Sequence, residues 1–291
     1  MAENIQRFDR GATAIDFFQD LQHTVATALA EDRGPGDITA TLIPAARNAT
    51  AVVIVREAAV LCGIPWFDAV YHQIDPGVRI AWHYQDGAPL VPNATVCEIH
   101  GNARALVTGE RAALNFLQTL SGTATVTARY VQLLTGTRTR LLDTRKTIPG
   151  LRRAQKYAVK CGGGNNHRAG LYDGVLVKEN HIRAAGSISA AVASLRAQHP
   201  TIPVEVEVEH LAQIEEAIAA GADMLLLDNF SIETMRAAVR ATAARVPLEA
   251  SGGFGREDLT AVAATGVDFI SIGGLTKHLR ATDFSMRIIE L

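Results

Sequence analysis

From residue 136 onward, short apolar runs alternate with amphipathic segments. The runs fall at 139–143, 174–178, 204–208, 224–228, 247–251 and 268–273. Helix-like stretches lie between them at 150–160, 187–198, 211–220, 232–243 and 256–264. A strand, a helix and a second strand in series form a crossover unit, and such units build a parallel sheet with helices on its faces. Both a barrel and an open doubly wound sheet satisfy that alternation.

The residues that end the runs favour the barrel, because loops after successive barrel strands converge on one rim. The first run ends in Asp143-Thr144-Arg145-Lys146 and the second in Lys178-Glu179-Asn180-His181. The third carries Glu205, Glu207 and Glu209 at alternate positions, which share one face of a strand. The remaining three end in Asp228-Asn229, in Ser251-Gly252-Gly253 and in Gly273-Gly274. Glycine turns after late barrel strands expose backbone N–H groups and suit a phosphate. Neither a P-loop nor a G-x-G-x-x-G pattern follows any run.

Charge narrows the ligand. The chain of 291 residues has a net charge of −2, so no global basic field for nucleic acid exists. Between 145 and 183, however, nine Lys/Arg face two acids, a local excess that suits a polyanionic small molecule. Arg152, Arg153, Lys156 and Lys160 read as a solvated helix face, whereas Arg145, Lys146, Arg168 and Lys178 sit at strand ends or in a glycine-rich loop. Glu207 and Asp228 beside a phosphate site call for a bridging divalent cation or for ribose hydroxyls as partners. Lys178 on a barrel strand would also suit a Schiff-base aldolase. A catalytically silent barrel binding phosphorylated metabolites is the non-enzymatic alternative.

The first 110 residues are mixed. A helix is expected over 14–30, a Gly/Pro break at 33–36, and strands at 51–56, 78–84 and 95–100. A helical pattern over 110–134 is interrupted at Ser121-Gly122. Cysteines at 62, 97 and 161 fit neither a disulfide framework nor a zinc template. No apolar stretch approaches the roughly 18 residues of a membrane span, and no apolar signal core opens the chain. The expectation is a cytoplasmic protein with neither membrane nor nucleic-acid partners.

Seven stretches give a more specific reading: ERAALNFLQTLSGT at 110–123, LDTRKTIPGLRR at 142–153, KYAVKCGGGNNHRAGLYDGVLVKENHI at 156–182, VEVEVEH at 204–210, MLLLDNFS at 224–231, EASGG at 249–253 and ISIGGLTK at 270–277. With EDRGPGDIT at 31–39, the chain resembles the quinolinate phosphoribosyltransferases, the carboxylating nicotinate-nucleotide pyrophosphorylases of NAD synthesis. The resemblance implies an α/β fold: an open TIM-like α/β barrel of six to seven parallel strands behind an N-terminal α/β sandwich. The implied domains are 1–118, joined by 277–291, and 119–276.

It also implies the reaction of quinolinate with phosphoribosyl pyrophosphate. The products are nicotinate mononucleotide, pyrophosphate and CO₂, and Mg²⁺ is required. The implied enzyme is a homodimer. Arg111 would reach quinolinate in the neighbouring subunit, with Arg145, His167, Arg168 and Lys178 completing that pocket. Thr144 and Lys146 share one turn, where Lys146 would neutralise substrate or pyrophosphate charge. Glu207 and Asp228 would face the ribose and the metal, with substrate oxygens completing the ion's shell. Ser251, Gly252, Gly253, Ile272, Gly273 and Gly274 would surround the 5′-phosphate. Ile148, Gly274 and the pair Lys277-His278 depart from the family's usual residues.

Overall fold

In 204–208 valine alternates with glutamate, and a strand sends successive side chains to opposite faces. The computed structural model describes residues 15–291 and makes this segment a strand of a six-stranded parallel sheet. The elements before it are α1 (Leu21–Arg33), β1 (Asn48–Val55), β2 (Ala59–Val60), α2 (Ile64–Ile74), β3 (Arg79–Trp82), β4 (Pro89–Leu90), β5 (Thr95–Asn102), α3 (Ala103–Leu133), β6 (Arg140–Leu142), α4 (Arg152–Cys161), β7 (Val175–Val177), α5 (Glu179–Ala185) and α6 (Ile188–Gln198). After β8 (Val204–Val208) come α7 (Ala212–Ala219), β9 (Met224–Asp228), α8 (Ile232–Thr242), β10 (Leu248–Ser251), α9 (Leu259–Ala263), β11 (Phe269–Ser271), α10 (Gly274–Lys277) and β12 (Phe284–Glu290).

The large sheet runs β6-β11-β10-β9-β8-β7, and every pairing in it is parallel. Read around, this is the chain order of a barrel that lacks closure between its first two strands. An isolated parallel bridge from Leu142 to Asn165 starts a seventh strand beside β6. Two backbone hydrogen bonds hold it: Asp143 N to Asn165 O at 3.0 Å and Asn165 N to Leu141 O at 2.8 Å. The α/β barrel is therefore open, as expected. Its apolar outward positions, Val204, Val206, Val208, Leu225 and Leu227, are at most 1% exposed.

The chain divides into two compact units. One holds Arg129–Lys146 and Gly164–Gly273, which carry the parallel sheet. The other holds Asp16–Ala128, Thr147–Gly163 and Gly274–Leu291. Its four-stranded antiparallel sheet has the order β12-β1-β5-β3, so the C-terminal strand pairs with β1, Phe284 opposite Val55. Alternate β1 residues Ala49, Ala51, Val53 and Val55 are buried in one apolar core with Trp66, Phe67, Leu117 and Phe284. Ala154 and Ala158 of α4 join that core, which is why 147–163 belongs with this unit.

Several local expectations are corrected. α3 runs unbroken through Ser121-Gly122. The Ser121 hydroxyl accepts from Cys62 N at 2.9 Å and donates to Cys62 O at 3.1 Å, and a Cβ on Gly122 would collide with the Arg280 carbonyl oxygen. Small residues there permit close packing; they do not stop the helix. The boundary expected after residue 118 thus falls inside a continuous helix. α2, where 63–65 read only as a break, is a helix with Pro65 in its first turn, where its missing N–H costs nothing. Lys156 is fully buried, contrary to the solvated face expected of it, because the apolar residues around it turn α4 inward. The helix expected over 14–30 is observed at Leu21–Arg33; Ala14 lies outside the described residues.

Candidate active site

The register of the parallel sheet places the polar residues. Glu207 lies opposite Leu226, Leu226 opposite Glu249, and Asp228 opposite Ser251. In-register neighbours share a face, so Glu205, Glu207, Asp228, Glu249 and Ser251 all point to the same side of the sheet. Thr144-Arg145-Lys146 follow β6 and Lys178 follows β7. Arg145, Lys146, His167, Arg168, Lys178, Glu207, Asp228, Ser251, Gly252, Gly253, Ile272 and Gly273 are thus at, or in the chain just beyond, the C-terminal ends of one sheet or its bridge. Arg111, an exposed residue of α3, and Gly274 belong to the other compact unit.

The ends differ in depth. Lys146 and Lys178 are exposed, and Arg145 and Arg168 are half-buried. The Lys178 ammonium donates to Glu207 Oε2 at 2.7 Å. The His181 ring takes the Lys178 backbone N–H at 3.0 Å, so it caps the start of α5. Asp228 Oδ2 accepts from the Asn229 amide at 3.0 Å. Burial lowers the pKa of Arg168, and repulsion from Arg145 adds to this; Glu205 and Asp173 pull the other way. Asp173 also shapes the loop, accepting from Ala169 N at 2.7 Å and Gly170 N at 2.8 Å.

Below this layer His167 Nε2 lies 2.9 Å from Glu205 and 3.4 Å from Glu249, two acids that are each 1% exposed. Burial alone would lower the His167 pKa, but Glu249 and Glu205 outweigh it and raise it to about 10. Burial, reinforced by Glu249, pushes Glu205 up to about 7. The third glutamate of the alternating trio, Glu209, is exposed. Glu249 was not singled out from the sequence. Its signal is an acid inside an apolar strand, two residues before Ser251 and hence on the same face.

The glycine turns have distinct local reasons. A Cβ on Gly273 would lie 2.9 Å from Lys146 Cδ and 3.5 Å from Thr144 Oγ1, so the turn after β11 closes against the turn after β6. Gly253 has open space around it, which leaves its backbone approachable. Residues 254–258 separate it from α9, with Gly255 N donating to Asp258 Oδ2 at 2.8 Å, and α9 lies within the helix expected over 256–264.

Among the described residues, two clusters could supply three metal ligands: His167 with Glu205 and Glu249, and Cys62 with Asp86 and Cys161. Glu207 and Asp228 belong to neither. No helix among the described residues is long and apolar enough to cross a membrane.

The pattern described as quinolinate phosphoribosyl transferase, C-terminal domain, matches residues 123–287, and that of the N-terminal domain matches 37–121. The chain belongs to the quinolinate phosphoribosyltransferase family. It is accordingly an enzyme of the phosphoribosyltransferase kind. A probable carboxylating nicotinate-nucleotide pyrophosphorylase of Bacillus subtilis is 42% identical over 259 residues, 89% of this chain and 90% of the relative. The Mycobacterium leprae enzyme of that name is 39% identical, covering 92% and 97%. Among solved members of the family, the Francisella tularensis structure superposes with a TM-score of 0.90 at 49% identity, covering 92% of this chain and 95% of that one. The Streptococcus pyogenes structure gives 0.91 at 40% identity, covering 96% and 99%.

Proposed function

We propose that the C-terminal rim of the parallel sheet joins quinolinate to phosphoribosyl pyrophosphate and decarboxylates the product. Nicotinate mononucleotide, pyrophosphate and CO₂ result. The observation that carries the reading is the placement of Arg145, Lys146, Arg168 and Lys178 beside Glu207 and Asp228 around the ends of one sheet. Cations alone would suit any polyanion; acids interleaved with them suit a substrate that turns cationic as it reacts.

Arg145, Arg168 and Lys178 take the two carboxylates of quinolinate, with His167 in the same loop as Arg168. Arginine suits planar carboxylates through paired hydrogen bonds. Holding the ring in place also aims its nitrogen at C1′ of the ribose. As the bond from C1′ to pyrophosphate breaks, positive charge grows on the ribose and negative charge on the leaving oxygen. Lys146 meets the negative charge, and Glu207 and Asp228 face the ribose. The pyridine nitrogen supplies the electron pair, so no protein nucleophile is needed. Loss of CO₂ from the adjacent carbon leaves a carbanion that the pyridinium charge stabilises, and a proton then replaces the carboxylate. Backbone around Ser251, Gly252, Gly253, Ile272, Gly273 and Gly274 takes the 5′-phosphate.

Mg²⁺ fits this site: two carboxylates on adjacent strands, neither in a closed ligand set, match an ion that takes one or two carboxylates and completes its shell with substrate oxygens and water. Glu207 and Asp228 are the residues that would hold it, and it would supply positive charge against the diphosphate. The exposed Arg111 is assigned to the pocket of a second copy in a homodimer. Three free thiols suit a cytoplasmic location.

The test is an assay of purified protein with phosphoribosyl pyrophosphate and Mg²⁺, offering quinolinate or nicotinate. CO₂ and nicotinate mononucleotide are expected from quinolinate. Turnover of nicotinate alone, or of neither acceptor, refutes the proposal.

A further inference from the structure

Cysteine spacing along the chain fits no zinc template, yet folding assembles a ligand set that no stretch of sequence contains. The thiols of Cys62 and Cys161 and a carboxylate oxygen of Asp86 all lie within 4.8 Å of one another. Cys62 follows β2, Asp86 lies between β3 and β4, and Cys161 ends α4. All three belong to the compact unit that carries the antiparallel sheet. Cys62 is buried, whereas Asp86 and Cys161 are half-buried, so the cluster has a closed side and an open one.

The chain around each ligand is fixed. Cys62 N donates to the Ser121 hydroxyl at 2.9 Å, and that hydroxyl donates to Cys62 O at 3.1 Å. Gly87 N donates to Leu61 O at 2.8 Å and Leu61 N to Ala88 O at 3.0 Å, which ties the Asp86 segment to the Cys62 segment. A Cβ on Gly87 would lie 3.4 Å from the Cys161 carbonyl oxygen, so the same segment packs on the end of α4. Asp86 itself is aimed. Its Oδ1 accepts from Gly63 N at 3.0 Å and Ile64 N at 3.3 Å, and its Oδ2 accepts from the Tyr157 hydroxyl at 2.9 Å. The Tyr157 ring rests against Trp66, with centroids 5.6 Å apart. Outer partners of this kind orient metal ligands and raise their affinity.

We propose that Cys62, Cys161 and Asp86 bind one soft divalent cation, Zn²⁺, with water as the fourth ligand on the open side. Sulfur ligands disfavour a hard ion such as Mg²⁺, and two thiolates with a carboxylate suit tetrahedral zinc. Zinc–sulfur arms of about 2.3 Å give tetrahedral edges of about 3.8 Å. Ligand atoms already within 4.8 Å of one another therefore close on the ion by about 1 Å or less. Binding turns two thiols into thiolates and releases their two protons to solvent; no electron is transferred. The Mg²⁺ assigned to Glu207 and Asp228 is a separate ion, and the inference does not rest on the reaction proposed above.

The test titrates the full-length enzyme, reduced and stripped with a chelator, with Zn²⁺ against a chromophoric competitor. One ion per chain is expected, with Kd below about 10 μM and no competition from excess Mg²⁺. Co²⁺ in place of zinc should give the absorption of thiolate-to-metal charge transfer. Cys62→Ala and Cys161→Ala should each weaken Zn²⁺ binding about 100-fold or more, and Tyr157→Phe about tenfold. Cys97→Ala, which removes the cysteine outside the cluster, should change it less than about twofold. Melting curves without metal report whether each variant folds; if Cys62→Ala does not, Cys161→Ala and Tyr157→Phe decide. Weaker binding by the parent, Co²⁺ without thiolate absorption, or a parent-like Kd in Cys161→Ala overturns the proposal.

Discussion

Gly273→Ala separates the catalytic geometry from the stability of the fold. A Cβ at this position would lie 2.9 Å from Lys146 Cδ and 3.5 Å from Thr144 Oγ1. Carbon atoms rest at about 3.5–4.0 Å, so the Lys146 side chain must give way by about 0.6–1 Å. Gly273 is not among the glycines with positive φ, so the backbone accepts alanine without strain. The atom displaced is part of a flexible, exposed side chain, which relaxes outward at little cost. Stability should therefore stay within about 0.5 kcal/mol of the parent. On the proposed mechanism, however, the Lys146 ammonium then leaves the place where charge builds on departing pyrophosphate. A misplacement near 1 Å costs about 100-fold in rate, or about 2.7 kcal/mol of barrier. Steady-state kinetics with varied phosphoribosyl pyrophosphate should show kcat/KM down by about that factor, with the melting temperature unmoved. The double variant with Lys146→Ala should be no slower than Lys146→Ala alone. Parent-like kinetics in Gly273→Ala, or a double variant much slower than Lys146→Ala, would refute the reasoning.

Two further outcomes follow from the same geometry. Arg145→Ala should raise the quinolinate KM by about 10–100-fold while the protein stays folded, the size of a lost charge-assisted carboxylate contact; an unchanged KM removes Arg145 from the pocket. His167 has a folded-state pKa of about 10 against 6.5 unperturbed, so its stabilising contribution is complete below pH 6.5 and is lost as pH rises through 10. Glu205, raised from 4.5 to about 7, costs stability progressively between those two values and changes little above them, so between pH 7 and 10 the change belongs chiefly to His167. Denaturant unfolding should show the parent losing its advantage over His167→Gln across that interval, and parallel curves would contradict it.

Much of the barrel was legible because its pattern is local. Alternating valine and glutamate in 204–208 declares a strand whatever the rest of the chain does, and β8 and β9 match the expected bounds. The strand-end residues were legible for the same reason: an apolar run that stops at Asp228 or at Lys178 announces where a rim begins. Family resemblance then put roles on those positions. Less of the site's interior could be read. Glu205 and Glu207 share a strand face and a sequence context, yet one meets His167 and Glu249 in the buried layer while the other meets Lys178 nearer solvent.

Amino-acid order by itself determined the period of each element, the face each side chain takes and the identity of the groups at the rim, since these depend on neighbours along the chain. Tertiary structure decided which distant residues share a layer. It buried Lys156 in a run of charges, carried 147–163 to the unit that holds the antiparallel sheet, ran α3 straight through Ser121-Gly122, and brought Glu249 to a histidine 82 positions earlier. Depth and long-range pairing emerge only when loops close and surfaces exclude water, and no window of sequence contains both partners of such a contact.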